Sequence, residues 1–312
     1  MWSRFVAALT ASIICADSLS GQPLPPAETP RHQADIVVTG TRDYDDRARK
    51  FVDAVATPTR FNQLATFEQP VCPMVLGMRP SSNALATARM RQIASSAGMM
   101  VDQEGCDGNA LVFVTSDRKA LMALLRRHQA HLFGERTRKE IDALEASAAP
   151  AVAWQVVEPR GADGRAMEKV THVELVKGRR DRVDAYVLPH VSVSRLGAKT
   201  RVDFLASVLI LDARVLLGTS TDQIAAYSAM RLFAGATPPD ARSGTAQTIL
   251  TLFDDRAGGL DPAPSLTDWD AGFLRALYAI PHGYFAHQQQ GRIAEMLSRS
   301  LMQRPAKPDS SD

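Results

Sequence analysis

The sequence predicts an α/β domain in which helices cover a mixed sheet. Three observations carry that expectation. Val71–Gly134 reads as strand, helix, strand, helix. Residues 151–211 hold short alternating or apolar runs separated by turn residues. Beyond them come helical patterns with start signals at Ser220 and Thr267 and a last one over residues 284–303.

Taken in order, residues 1–20 have the layout of a secretory signal peptide. Arg4 supplies one early charge, an apolar run follows from Phe5 to Ala16, and small residues stand at Ser18 and Ser20. Cleavage is expected after Ser20, with Ala16 as the other site. Ile13 and Ile14 precede Cys15 where a lipoprotein signal wants a small residue. Residues 21–50 are expected to be a flexible, proline-rich leader, residues 51–304 one globular domain, and residues 305–312 a disordered tail. Phe51 and Val55 at helical spacing before Pro58 mark one helix and a connector within residues 45–68.

The helix of the first strand–helix–strand unit starts at Ser81–Ser82 and turns Ala86, Met90, Ile93 and Ala97 to one face. Ala110–Val114 is a buried-strand run, and a crossover helix between the two strands implies a parallel pair. Asp117 caps the next helix, whose expected stripe is Leu121, Leu124, Leu125, His128 and Leu132. An exposed helix over Glu135–Ala146, a strand over Ala151–Val157 and a half-exposed strand over Val170–Val176 follow. Arg182–Arg195 and Arg201–Leu211 are expected to form a hairpin bent at Gly197, with Ser207–Leu211 central in the sheet. Capping boxes are read at Ser220/Gln223 and Thr267/Asp270. Gly235–Pro264 is a loop rich in Gly, Pro and Asp around the apolar TILTLF. The faces Leu121–Leu132 and Phe273–Tyr278 are expected to lie against the sheet.

Removing the signal leaves Cys72 and Cys106. An even pair in an exported chain reads as one disulfide, tying the two strand entrances together. The alternatives are free thiols or a metal pair, although CxxC spacing is absent. Closing a loop of about 35 residues stabilises by about 3–4 kcal/mol in the chain-entropy model.

The 36 basic and 34 acidic residues leave a formal charge of +2. The basic clusters Arg126–Arg127, Arg136/Arg138/Lys139 and Lys177/Arg179/Arg180 are scattered among acids and lack interleaved aromatics. They read as solvated surface, which excludes a nucleic-acid partner. The mature chain offers no spanning segment.

Ile36–Arg42 (IVVTGTR) looks like the segment that opens the plug of TonB-dependent outer-membrane receptors. It reads either as an edge strand ending in a Thr-Gly turn or as a strand that adds to a partner's sheet. The order of elements, together with Leu266–Tyr278 (LTDWDAGFLRALY), resembles the zincin layout of metzincin and matrixin proteases. It also resembles exported alphaproteobacterial proteins of unknown function. The resemblance places the zinc helix at Thr221–Ala234. A zincin needs His-Glu-x-x-His there, and Gln223–Arg231 (QIAAYSAMR) carries none of it. The family's metal and peptidase activity therefore do not carry over.

Other chemistry is thin. His128 and His131 are spaced to chelate a metal, and His282 would join them only if the fold brought all three together. Asp254, Asp255 and Asp261 read as a solvated acidic turn, with cation binding as the alternative. GxSxG, phosphate-loop and EF-hand patterns are absent. No catalytic residue and no cofactor is expected. The expected function is a non-catalytic periplasmic or secreted binding or scaffold protein, a degenerate relative of the zincin-like peptidases. Its candidate pocket is Ala226, Tyr227 and Met230, and its partner a protein or small molecule of the cell envelope. A hydrolase with an unfamiliar site and an accessory to TonB-linked uptake through Ile36–Arg42 are the alternatives.

Overall fold

The computed structural model describes residues 41–176, 179–187, 198–240 and 245–303. In chain order its elements are α1 (Thr41–Val55), β1 (Pro73–Leu76), α2 (Pro80–Ser96), β2 (Ala110–Thr115), α3 (Arg118–His128), α4 (Arg138–Ala146) and β3 (Ala151–Gly161). There follow β4 (Glu168–Val176), β5 (Arg179–Val187), β6 (Thr200–Asp212), α5 (Thr221–Phe233), α6 (Leu252–Ala257), α7 (Asp268–Ala279) and α8 (Ala286–Met302).

Strand β6 organises the sheet. Val202, Phe204, Ala206 and the unbroken run Val208–Leu211 are all buried, the mark of a strand covered on both faces. The strand order is β1-β2-β6-β3. β1 runs parallel to β2, and β2 parallel to β6, while β3 is antiparallel to β6 at the edge. The expected mixed sheet is thus present, with Ser207–Leu211 central. Cys72 and Cys106 are joined just before β1 and β2, their Cα atoms 6.1 Å apart.

One face of the sheet buries Leu111, Val152, Trp154, Val208 and Ile210 beneath α3, α4 and a 3-10 turn at Ala130–Phe133. Trp154 stacks on Phe133 and donates its indole N–H to the Leu132 carbonyl at 2.7 Å. The other face buries Val112, Leu209 and Leu211 with α5. Both expected capping boxes are present, at the starts of α5 and α7. Every residue of α5 from Gln223 to Phe233 is buried, because α2, α7 and the turn at Ile249–Thr251 pack around it. Outside lies a second helical layer in which α8 packs on α1 and α7.

Four expectations need correction. The leader expected through residue 50 gives way to α1 at Thr41, whose Ala48, Phe51, Val52 and Val55 are buried. The expected hairpin between the strand from Arg182 and β6 is not formed. β5 pairs with β4 in a separate two-stranded ribbon, and β6 takes β3 as its antiparallel partner. A strand apolar on both faces needs covered neighbours, whereas the charged sequence RRDRVDAYV of β5 suits an exposed ribbon. The α3 stripe is out of phase: the helix ends at His128, Met122 and Leu125 are buried, and Leu124 is 56% exposed. The apolar face of α7 meets α5, α8 and Phe51 of α1 rather than the sheet.

The signal expected over residues 1–20, the leader to residue 40, the strand-adding residues 36–40 and the tail at 305–312 lie outside the described residues. Thr41 and Arg42, which were to close the strand-adding segment, open α1. Among the described residues no helix is long and apolar enough to cross a membrane.

Candidate functional site

The site grows out of β3, which does two things along one strand. Asp212 N–H donates to the Pro150 carbonyl at 2.9 Å, so hydrogen-bonded pairing with β6 alternates from there. Val152 and Trp154 turn their backbone groups inward to β6, and Ala151, Ala153 and Gln155 turn theirs outward. The far side of β6 agrees: Ser207, opposite Gln155, sends its N–H away from β3 to Asn109 O at 2.8 Å. Among the described residues no strand pairs with the outer edge at Ala151–Gln155.

Past a bulge at Val156/Val157 the same edge is closed. Pro159 has no N–H to offer. Gly161 N–H donates to Arg165 O at 2.8 Å, and Arg160 bridges to Ala166 as the chain turns back.

The open half borders two neighbouring hollows of about 440 and 410 Å³ that share Arg136 and Glu140 in their walls and together form the two lobes of a groove along the strand. α4 supplies one wall with Glu140, Ala143 and Leu144. Arg231, Gly235 and Thr57–Arg60 supply the other. Gly134 places the first wall. Its φ is +57°, and a Cβ there would stand 2.9 Å from Val156 Cγ1, so the chain crosses tightly over β3. Arg118 then pins the return to β3 by donating to the carbonyls of Ser147 and Ala149.

Two charges flank that crossing. Arg136 is half-buried, lines both lobes and donates Nη1 to the Gln155 carbonyl at 2.8 Å. Its guanidinium makes no ion pair among the described residues, whereas those of Arg60, Arg89, Arg126, Arg160 and Arg201 each meet a carboxylate. Burial pulls its pKa down, against the nearby Glu140 and with the repulsion of Arg60. The Glu140 carboxylate is held by the backbone and hydroxyl of Thr137 at 2.7 and 2.8 Å.

Glu135 is the opposite case. It accepts from Lys169 Nζ at 2.7 Å, Tyr186 Oη at 2.7 Å and Arg60, fastening the β4–β5 ribbon to the end of the groove. Burial pushes its pKa up, but these three donors outweigh burial and bring it down to about 2. Phe61 adds an edge-to-face contact with Tyr186, ring centroids 5.6 Å apart.

A second polar region sits beyond the closed half of β3, at a cavity of about 150 Å³. Glu68 meets His282 Nε2 at 3.2 Å, Arg201 at 3.6 Å and the Thr66 hydroxyl at 2.7 Å. Burial pushes the Glu68 pKa up, and these partners more than reverse it. Arg201 pairs with the buried Asp203 at 2.9 Å, and Arg160 reaches Asp203 at 3.5 Å and also Glu158. Burial lifts the Asp203 pKa in spite of both arginines.

The residues singled out in the sequence lie elsewhere. Ala226, Tyr227 and Met230 line neither this groove nor the Glu68 cavity; all are core, with Tyr227 2% exposed, edge-on to Phe253 and accepting from Arg231 Nη1 at 3.1 Å. The reason is the all-round burial of α5, which fills the space an open cleft would need. His128 and His131 are exposed at the end of α3 and in the turn after it, while His282 pairs with Glu68. No group of three His, Cys, Asp or Glu among the described residues, Asp254, Asp255 and Asp261 included, is placed to hold a metal ion.

Sequence reading passed over Arg136, Glu135, Arg60 and Glu68. Arg136 stood in a basic cluster taken as solvated surface. The available signals were Pro150, just before β3, and Pro159, within it, which mark β3 as an edge strand. No protein-family model, no curated protein and no solved structure matches the chain.

Proposed function

We propose that this is a non-catalytic binding protein of the cell envelope that takes up an extended polypeptide along the outer edge of β3. The observation that carries this reading is the contrast within one strand. The edge is blocked by proline and by the chain itself over Glu158–Gly161, and has no pairing strand among the described residues over Ala151–Gln155, where it lies in a groove. An unpaired edge invites aggregation unless it is covered or used, and strand addition satisfies its N–H and C=O groups directly. Export fits a disulfide in a chain that begins with a signal-like segment. Kinship with zincin-like peptidases is part of the proposal. It rests on the likeness of the element order and of Leu266–Tyr278 to that family.

Ala153→Pro tests it. The substitution removes one outward N–H and no ladder bond to β6. With a reduced, alkylated and unstructured polypeptide as probe, wild type should bind and the variant should lose at least tenfold in affinity, its melting temperature falling by only a few degrees. Equal binding by wild type and a folded variant would refute strand addition.

A hydrolytic reading has one observation in its favour, the Glu68–His282 pair on its small cavity. It requires Glu68→Gln to abolish a measurable hydrolysis of a chromogenic ester or peptide by the wild-type protein.

A further inference from the structure

We infer that the segment taken up along β3 carries an internal acidic side chain, which docks on Arg136. This rests on the strand-addition reading and specifies its ligand. Four features of the groove lead to it.

Arg136 is a half-buried guanidinium at the floor of a groove and has no ion-pair partner among the described residues. Its one side-chain hydrogen bond among the described residues, to the Gln155 carbonyl, anchors the fork over the edge strand and leaves its other donors for a ligand. A carboxylate is the group that matches a planar guanidinium with two parallel bonds.

The carboxylates nearby are committed. Glu135 is held by Arg60, Lys169 and Tyr186, and Glu140 by Thr137 in the capping box of α4. Glu140 offsets part of the Arg136 charge without forming an ion pair with it. Across the groove stands Arg231, another cation.

The position of Arg136 chooses between an internal acid and a chain terminus. It borders both lobes, the one beside Gln155–Val157 and the one beside Ala151–Ala153. A chain lying in the groove therefore continues past Arg136 on either side, and what reaches the guanidinium is a side chain.

The edge itself sets the spacing. Arg136 occupies the outward carbonyl of Gln155, so the incoming backbone pairs with Ala151, Ala153 and the Gln155 N–H. The acidic residue then lies at the end of a paired stretch about five residues long.

Binding of fluorescein-labelled, Val/Thr-rich decapeptides tests the inference by anisotropy. One set has a central Glu, a second a central Gln, and each is made with a free and an amidated C-terminus. Wild type should bind the Glu set about tenfold or more tighter than the Gln set whatever the terminus, with the gap shrinking as salt rises. Arg136→Gln, confirmed as folded by a cooperative thermal transition, should erase the gap, so that the Glu and Gln sets bind it alike. Arg136→Lys should restore part of the gap.

Equal affinity of wild type for the Glu and Gln sets would overturn the inference and leave strand addition standing. Preference for the free C-terminus with no effect of the central residue would overturn it too. Failure of every set to bind would remove strand addition itself, and the inference with it.

Discussion

The two halves of β3 face the same problem and resolve it in opposite ways. Over Glu158–Gly161 each exposed feature is closed. Pro159 withholds a donor, Gly161 bonds to the returning chain, and Glu158, Arg160, Arg201 and Asp203 neutralise one another. Over Ala151–Gln155 no strand pairs with the edge among the described residues, and the neighbouring Arg136 makes no ion pair there, Glu140 offsetting only part of its charge. The bulge at Val156/Val157 separates the two regimes. A chain able to close half of an edge with one proline and one turn has the means to close the rest. The proposed strand addition rests on this contrast.

The largest effect expected from this contrast belongs to the closed half. Asp203→Ala leaves Arg201 and Arg160 without their shared, buried partner, and should cost about 3–5 kcal/mol by urea denaturation. Burial lifts the Asp203 pKa even beside two arginines, so the network fixes geometry more than it adds net stability. A loss under about 1 kcal/mol would mean that the closed half is not held by these charges.

A smaller effect comes from Glu135, which joins the open groove to the ribbon. Its folded-state pKa is lowered from 4.5 to about 2, so its contribution to stability is complete above about pH 4.5 and is lost as the pH falls toward 2. Wild type should therefore be more stable than Glu135→Gln at pH 6, and the two should converge near pH 2. A difference that stays constant over that range would show that the Lys169 and Tyr186 contacts do not act through the ionised carboxylate.

Much of the architecture was legible in the sequence because local signals and burial agreed there. Ser220/Gln223 and Thr267/Asp270 are capping boxes in both. Ala86, Met90 and Ile93 face the core as their spacing implies, and the apolar run at Ser207–Leu211 is central. Strand pairing was less legible, since the charged pattern of β5 says that it is exposed without saying that β4 is its partner. Leu124 misled because Leu132, three residues into a separate 3-10 turn, extended the apparent stripe beyond the end of α3.

The groove was legible least of all. It depends on which β3 carbonyl Arg136 reaches across a glycine crossing and on charges that lie up to 75 residues apart in the chain, as Arg60 and Glu135 do. Nothing in the immediate sequence distinguishes Arg136 from Arg138, which lies exposed two positions on. Tyr227 and Met230 drew notice through resemblance to a zinc helix, and the packing around α5 gives them a different role.

The outer edge of β3 can be read directly by backbone amide hydrogen exchange, residue by residue, with and without a Glu-containing decapeptide. In the free protein the amides of Ala151, Ala153 and Gln155 should exchange rapidly, while Val152 and Trp154, bonded to β6, are protected. Peptide should slow the first three and leave the other two unchanged. Slow exchange at Ala151 and Ala153 in the free protein, or exchange there that peptide does not alter, would contradict an edge kept open for a partner.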